Sequence, residues 1–169
     1  ASFMQGSARR LVRVCDSRED YLKYGGPLGS AGYWWSVSEE LVLYDDQELG
    51  GRRNTWATLH HEAFHQFIFY FLAGLSPPAW FNEGYADYYA GYELSRRGLY
   101  EVARREQRNA LAVEELHAGD WVPLQILVSA TQAQYYGLAP LGDGLRSRYA
   151  QGWSFIYFLR AGETHRPRG

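Results

Sequence analysis

Apolar residues follow two different rhythms along this chain. Through the first third they come in short runs broken by glycine, proline and charge, and from about residue 54 they recur every three or four positions. The first rhythm predicts strands and turns. Leu11-Val12-Arg13-Val14-Cys15 reads as a short strand, and Tyr33 to Val37 and Leu41 to Tyr44 as the two arms of a hairpin. The second arm is continuous and apolar, which places it near the core. Ser17 caps a short helical stretch through Leu22, and Gly25 to Gly32, rich in glycine and proline, is a loop. The second rhythm predicts helices. Asn54 or Thr55 caps one that runs to about Leu72. Its apolar positions, Trp56, Leu59, Ala63, Phe64, Phe67, Ile68 and Phe71, form a wide face, which predicts a mostly buried helix. After the break at Gly74 to Pro78, Ser76-Pro77-Pro78 starts a second helix expected to reach about Arg96, with Gly98 ending it. A third spans roughly Tyr100 to His117. Short helical pieces follow near Pro123 to Val128 and Thr131 to Tyr136, and a last helix covers about Leu145 to Arg160.

Strands first and helices afterwards predict an α+β fold: a small N-terminal antiparallel or mixed sheet, then a mainly helical part. The 169 residues, 46% of them hydrophobic, suit one domain spanning 1–169 with a core of its own. A net charge of -2, without a basic tract or acidic tail, gives no support to nucleic acid or an anionic membrane as the main partner. The longest apolar stretch, Phe67 to Leu75, is too short to span a bilayer. Cys15 is the only cysteine, so neither an internal disulfide nor a cysteine-rich zinc knuckle can form. Residues 1–10 are short, polar and basic without an apolar signal core, and are expected to be disordered or left over from cloning. Aromatic residues reach 17% of the chain, with 14 tyrosines and 6 tryptophans. Such rings fill cores and also line clefts for extended ligands.

The chemistry concentrates in two strings on adjacent predicted helices. His61-Glu62-Ala63-Phe64-His65 is an H-E-x-x-H sequence. Residues four apart on a helix differ by about 40° around its axis, so His61 and His65 project one above the other. Both imidazoles can then reach one zinc ion at about 2.0–2.1 Å. Glu62 lies roughly 100° from His61 and roughly 60° from His65. It therefore flanks the metal, where a general base belongs, and does not ligate it. His60 falls on the far flank and is expected to be structural or exposed. Glu83, in Trp80-Phe81-Asn82-Glu83-Gly84, is the candidate third ligand, 18 positions after His65. Three protein ligands leave a fourth position open, which separates a catalytic zinc from a structural one. Asp87 shares the Glu83 face and is placed to accept the second ring N–H of a ligating histidine, with His61 the expected partner.

These strings resemble the gluzincin metallopeptidases. HHEAFHQF, PAWFNEGYADYY and YAQGWSFIYFL look most like the bacterial peptidase MA-like or DUF1570 domain, with a more distant likeness to M1 aminopeptidases and thermolysin. The resemblance runs from Leu41 to Leu159. It implies a zincin-like fold in which one helix carries H-E-x-x-H and the next carries the glutamate ligand. It implies one Zn2+ per chain on His61, His65 and Glu83, with Glu62 as base. Thermolysin-like enzymes also place an aspartate where Asp87 stands. Tyr149-Ala150-Gln151-Gly152 is similar to the Y-x-x-G string of M1 aminopeptidases, which implies that Tyr149 stabilises the oxyanion; the alternative is a tyrosine packed at a helix start. Arg146 and Arg148 beside it are indistinguishable from solvated arginines. No G-x-M-E-N string is present, so nothing supports aminopeptidase specificity. By the same resemblance, an edge strand (Tyr33 to Val37 or Leu41 to Tyr44) would pair with an extended peptide, and the setting would be extracytoplasmic. The expected function is a zinc-dependent metallopeptidase hydrolysing peptide bonds. Its rivals are a zinc-bearing module that binds peptide or cell-wall polymer without cleaving it, and a structural domain whose histidines pair with carboxylates.

Overall fold

The computed structural model describes residues 10–45, 51–94, 100–102, 106–119, 121–137 and 148–164. Its N-terminal part is a three-stranded sheet built from β1 (Leu11–Cys15), β2 (Gly32–Trp35) and β3 (Glu40–Tyr44). The order is β1-β3-β2, with β1 parallel and β2 antiparallel to β3. The sheet is thus mixed, as one of the two expected forms. The continuous apolar run explains why β3 is central: Leu41, Val42 and Leu43 are all buried. A strand paired on both sides has no edge left, so Leu41 to Tyr44 cannot receive an extended peptide, and only β2 of the two candidate strands keeps that option. Helix α1 (Arg18–Tyr24) connects β1 to β2; Ser17 caps it by accepting the Asp20 N–H. It buries Tyr21 against the rings of Tyr33 and Tyr44.

The rest is mostly helical: α2 (Gly51–Phe71), α3 (Ala79–Tyr89), α4 (Glu106–Ala118), α5 (Leu124–Ser129), α6 (Gln132–Tyr135) and α7 (Arg148–Thr164). Helix α3 packs chiefly on α7 and α2. Phe64, Ile68 and Ala86 form the core of the α2–α3 contact, with Phe81, Tyr85 and Tyr89 against it.

The structure corrects several sequence expectations. The second helix ends at Tyr89 instead of near Arg96. Its N-terminus is Pro78, whose carbonyl accepts the Phe81 and Asn82 N–H groups, and not Ser76. Two short strands, β4 (Tyr92–Leu94) and β5 (Tyr100–Val102), pair antiparallel where helix was expected. Each has an apolar–Glu–apolar alternation, a period-2 signal too short to outweigh helix-forming neighbours. Helix α2 is less buried than its periodicity implies: Trp56, Phe67 and Phe71 are exposed, while Glu62 is buried. The sheet and α3 cover only part of its circumference. Residues 1–9, Arg96, Gly98 and the expected start of the last helix at 145–147 lie outside the described residues.

One close approach sets the position of the Glu83 helix. A Cβ added at Gly84 would sit 2.7 Å from the Gly152 carbonyl oxygen and 2.8 Å from Ile156 Cγ1. Because the first obstacle is backbone, α3 and α7 must move apart to admit a side chain. Gly84→Ala is expected to cost about 1–3 kcal/mol in urea-unfolding free energy. An unchanged midpoint and slope would mean that the two helices are not held at this distance.

Candidate metal centre

Helices α2 and α3 run antiparallel, so that His65 faces Asn82 while His61, one turn earlier, faces Asp87. Glu83 lies between these contacts. Its Oε2 is 3.4 Å from His61 Nε2 and 3.6 Å from His65 Nε2. All three atoms lie within 4.8 Å of one another. At these separations the contacts are longer than good hydrogen bonds. The two separations from Glu83 are close to another geometry: corners of a tetrahedron with arms of about 2.0–2.1 Å lie about 3.3–3.4 Å apart. Two borderline nitrogen donors and one carboxylate oxygen are a donor set that suits zinc. The group can therefore hold a metal ion.

The far ring nitrogens are also engaged. His61 Nδ1 lies 3.2 Å from Asp87 Oδ1, and His65 Nδ1 lies 3.1 Å from Asn82 Oδ1. A carboxylate oxygen can only accept, as can the amide oxygen, so each Nδ1 is the donor and each Nε2 is turned to Glu83. The sequence pattern places Asp87 beside His61 because 83 and 87 share a helical face. Asn82 was not anticipated. Its signal was the antiparallel pairing itself, since the residue before Glu83 must come level with the later histidine.

Burial and charge oppose one another here. Burial pushes the His61 imidazole down, but Asp87 and Glu83 outweigh it and raise its pKa to about 10. His65 is likewise raised, with burial opposed chiefly by Glu83. For Glu83, burial favours the neutral acid, yet the two histidines hold its carboxyl far below the usual range. Glu62 differs. Its buried carboxyl is raised by desolvation, against the pull of His61 and His65 and, last, of the Trp34 backbone N–H. That N–H belongs to β2, so the sheet edge orients the candidate base directly. Close approach is possible because position 32 is glycine: a Cβ there would lie 2.7 Å from Thr58 Cγ2 and 3.2 Å from Glu62 Cγ.

The group opens into a cavity of about 880 Å³, lined by β2, by one flank of α2 between Asn54 and Phe69, and by α3. Tyr136 and Tyr149 line it too. Tyr136 touches a candidate ligand: its hydroxyl donates to Glu83 Oε1 at 2.6 Å. Burial first, then the Glu83 charge, push this phenol's pKa up and keep it a donor. The sequence offers Tyr136 only as a pocket residue it cannot place, because its reach to Glu83 depends on how α6 packs beside α3. Tyr149, half-buried, is the second residue of α7 and packs against Tyr135. Arg148 is buried and does not line the cavity, so it is not a solvated arginine as expected; Arg146 lies outside the described residues. His60 is half-buried between Trp56 and Tyr92, away from the histidine pair.

Fold and site together define an α+β protein with a small mixed sheet, a mainly helical body and a His–His–Glu group that can bind a metal ion. The chain belongs to the DUF1570 family, described as a protein of unknown function, whose model matches residues 55–166. The match runs from residue 55, within α2, through α7, and leaves out the sheet that contributes Gly32 and Trp34. No curated protein and no solved structure matches the chain. No helix among the described residues is long and apolar enough to cross a membrane.

Proposed function

We propose that this domain is a zinc-dependent metallopeptidase of the gluzincin type. The observation that carries the proposal is the position of Glu62. It is a buried carboxylate adjoining, but outside, a His61–His65–Glu83 donor set, with its proton affinity raised by desolvation. A module that only holds metal or only binds a polymer has no need of a base there. Zinc, when bound, supplies a Lewis acid that polarises a carbonyl and acidifies a water.

The chain's own groups do the remainder. Glu62 removes a proton from the attacking water and returns it to the leaving amine. Trp34 N–H holds Glu62 in place, and Asp87 and Asn82 orient the two imidazoles. Tyr149 stands in the same cavity, from where its hydroxyl donates to the developing oxyanion. Along β2, successive residues alternate between facing β3 and facing outward. Strand β2 is an edge of the described sheet and lines the cavity through Gly32, Tyr33 and Trp34, so an extended peptide pairs along it. The fold is then zincin-like in its functional parts: a histidine helix, an antiparallel glutamate helix and a strand edge beside them.

The test is turnover of a broad peptide library by zinc-loaded protein. Cleavage is expected, with complete loss on chelation and recovery on adding zinc back. A protein that holds one zinc per chain and cleaves nothing in the library would leave metal-dependent binding as the better description. A protein that never retains zinc would remove both.

A further inference from the structure

Glu83 has two oxygens, and a carboxylate can offer a metal one or both. Only Oε2 faces the imidazoles, at 3.4 and 3.6 Å from their Nε2 atoms. Oε1 is taken by the Tyr136 hydroxyl at 2.6 Å. That tyrosine is fixed by its surroundings. Helix α6 is locked by a reciprocal cap between Thr131 and Gln134, and Tyr136 follows its last turn. The neighbouring Tyr135 is buried and donates to the Arg148 carbonyl at 2.8 Å, which ties this turn to the start of α7. The Tyr136 ring itself stays 40% exposed at the cavity wall. Among the described residues its hydroxyl bonds to Glu83.

We infer that Tyr136 is a positioning residue that restricts Glu83 to one-oxygen coordination and so keeps a place at the metal free for a water. The inference rests on the metal site proposed above but not on peptide hydrolysis. A charge-assisted hydrogen bond to Oε1 competes with the metal for that oxygen. It also fixes the carboxylate plane, so that Oε2 completes a three-cornered set with the two Nε2 atoms. Without the hydroxyl, Oε1 is released toward the metal, and the open position is filled from within the protein.

Tyr136→Phe removes one oxygen atom from a partly exposed ring. Folding is checked by circular dichroism and by unfolding of the metal-free protein. Chelator competition is expected to show zinc held more tightly, because the oxygen released from the hydroxyl becomes a second donor to the ion. The cobalt-substituted variant should show a shifted visible spectrum, because a carboxylate oxygen takes the place of a water among the donors. Identical affinity and identical cobalt spectra in variant and parent would overturn the inference. X-ray absorption on zinc-loaded parent protein tests it without any substitution: both Glu83 oxygens at bonding distance would also overturn it. A parent that binds zinc but cleaves nothing would end the peptidase reading and leave these spectroscopic outcomes decisive. A parent that binds no zinc would end both.

Discussion

Glu62→Gln is expected to lower peptide hydrolysis by about 10²–10⁴-fold while leaving zinc content unchanged. The side chain keeps its size and its acceptor oxygen, so the Trp34 N–H retains a partner. It loses the ability to carry a proton. Burial already makes the charged form of Glu62 costly, so a neutral amide is tolerated and the metal-free variant should be at least as stable as the parent. That combination separates a base from a structural residue: activity falls while fold, metal and peptide binding remain. The measurements are kcat and KM on the best library peptide, metal analysis and thermal unfolding. The loss should fall on kcat, because proton transfer belongs to the transition state and not to binding. A variant that retains parental kcat would assign the base to another group. A variant that loses zinc as well would make Glu62 part of the donor set, against the geometry in which His61, His65 and Glu83 converge among the described residues.

Helical periodicity made much of this centre legible before any coordinates. His61, Glu62, His65, Glu83 and Asp87 are each positioned by where they fall on a turn of helix, a local property. The groups that complete the site are not local. Asn82 reaches His65 because α3 returns antiparallel at a particular height. Trp34 presents a backbone N–H, which no side-chain pattern encodes. Tyr136 arrives from a short helix more than 50 positions beyond Glu83, in a chain with 14 tyrosines and no mark to distinguish it. The same limit explains the misjudged face of α2. Period 3.6 identified Phe64, Phe67, Ile68 and Phe71 as apolar, yet only the two that face α3 and the cavity floor are covered. Gly84 and Gly152 were legible as letters but not as a contact, since the reason for either is the other helix.

The electrostatics of the centre lead to a second large effect, the loss on metal binding of a pH dependence that His61 gives the metal-free domain. In the metal-free protein His61 gains its proton affinity from Asp87 and Glu83, against burial, and its pKa of about 10 stands above the ordinary 6.5. A group with a raised folded pKa stabilises fully below its unfolded value and loses that contribution as pH climbs through the folded one. Stability of the metal-free domain should therefore fall from about pH 6.5 to pH 10. His65, also raised, acts in the same direction. Glu62, raised as well, removes stability already from about pH 4.5 upward. Glu83 acts oppositely: its depressed pKa contributes above about 4.5 and is lost only in strong acid. The His61–Glu83 attraction appears on both partners and counts once. With about 1.36 kcal/mol per pKa unit, the His61 contribution reaches a few kcal/mol and at most about 5. Zinc requires the same nitrogen without its proton, so proton and metal compete for it. Binding near pH 7 should release protons, and the zinc-induced rise in unfolding midpoint should grow with pH over the interval in which the metal-free protein weakens. Paired thermal melts of metal-free and zinc-loaded protein at pH 6, 7.5 and 9 measure both trends, and calorimetry in buffers of different ionisation enthalpy counts the protons. Equal pH profiles with and without zinc would mean that the ion does not bind at His61.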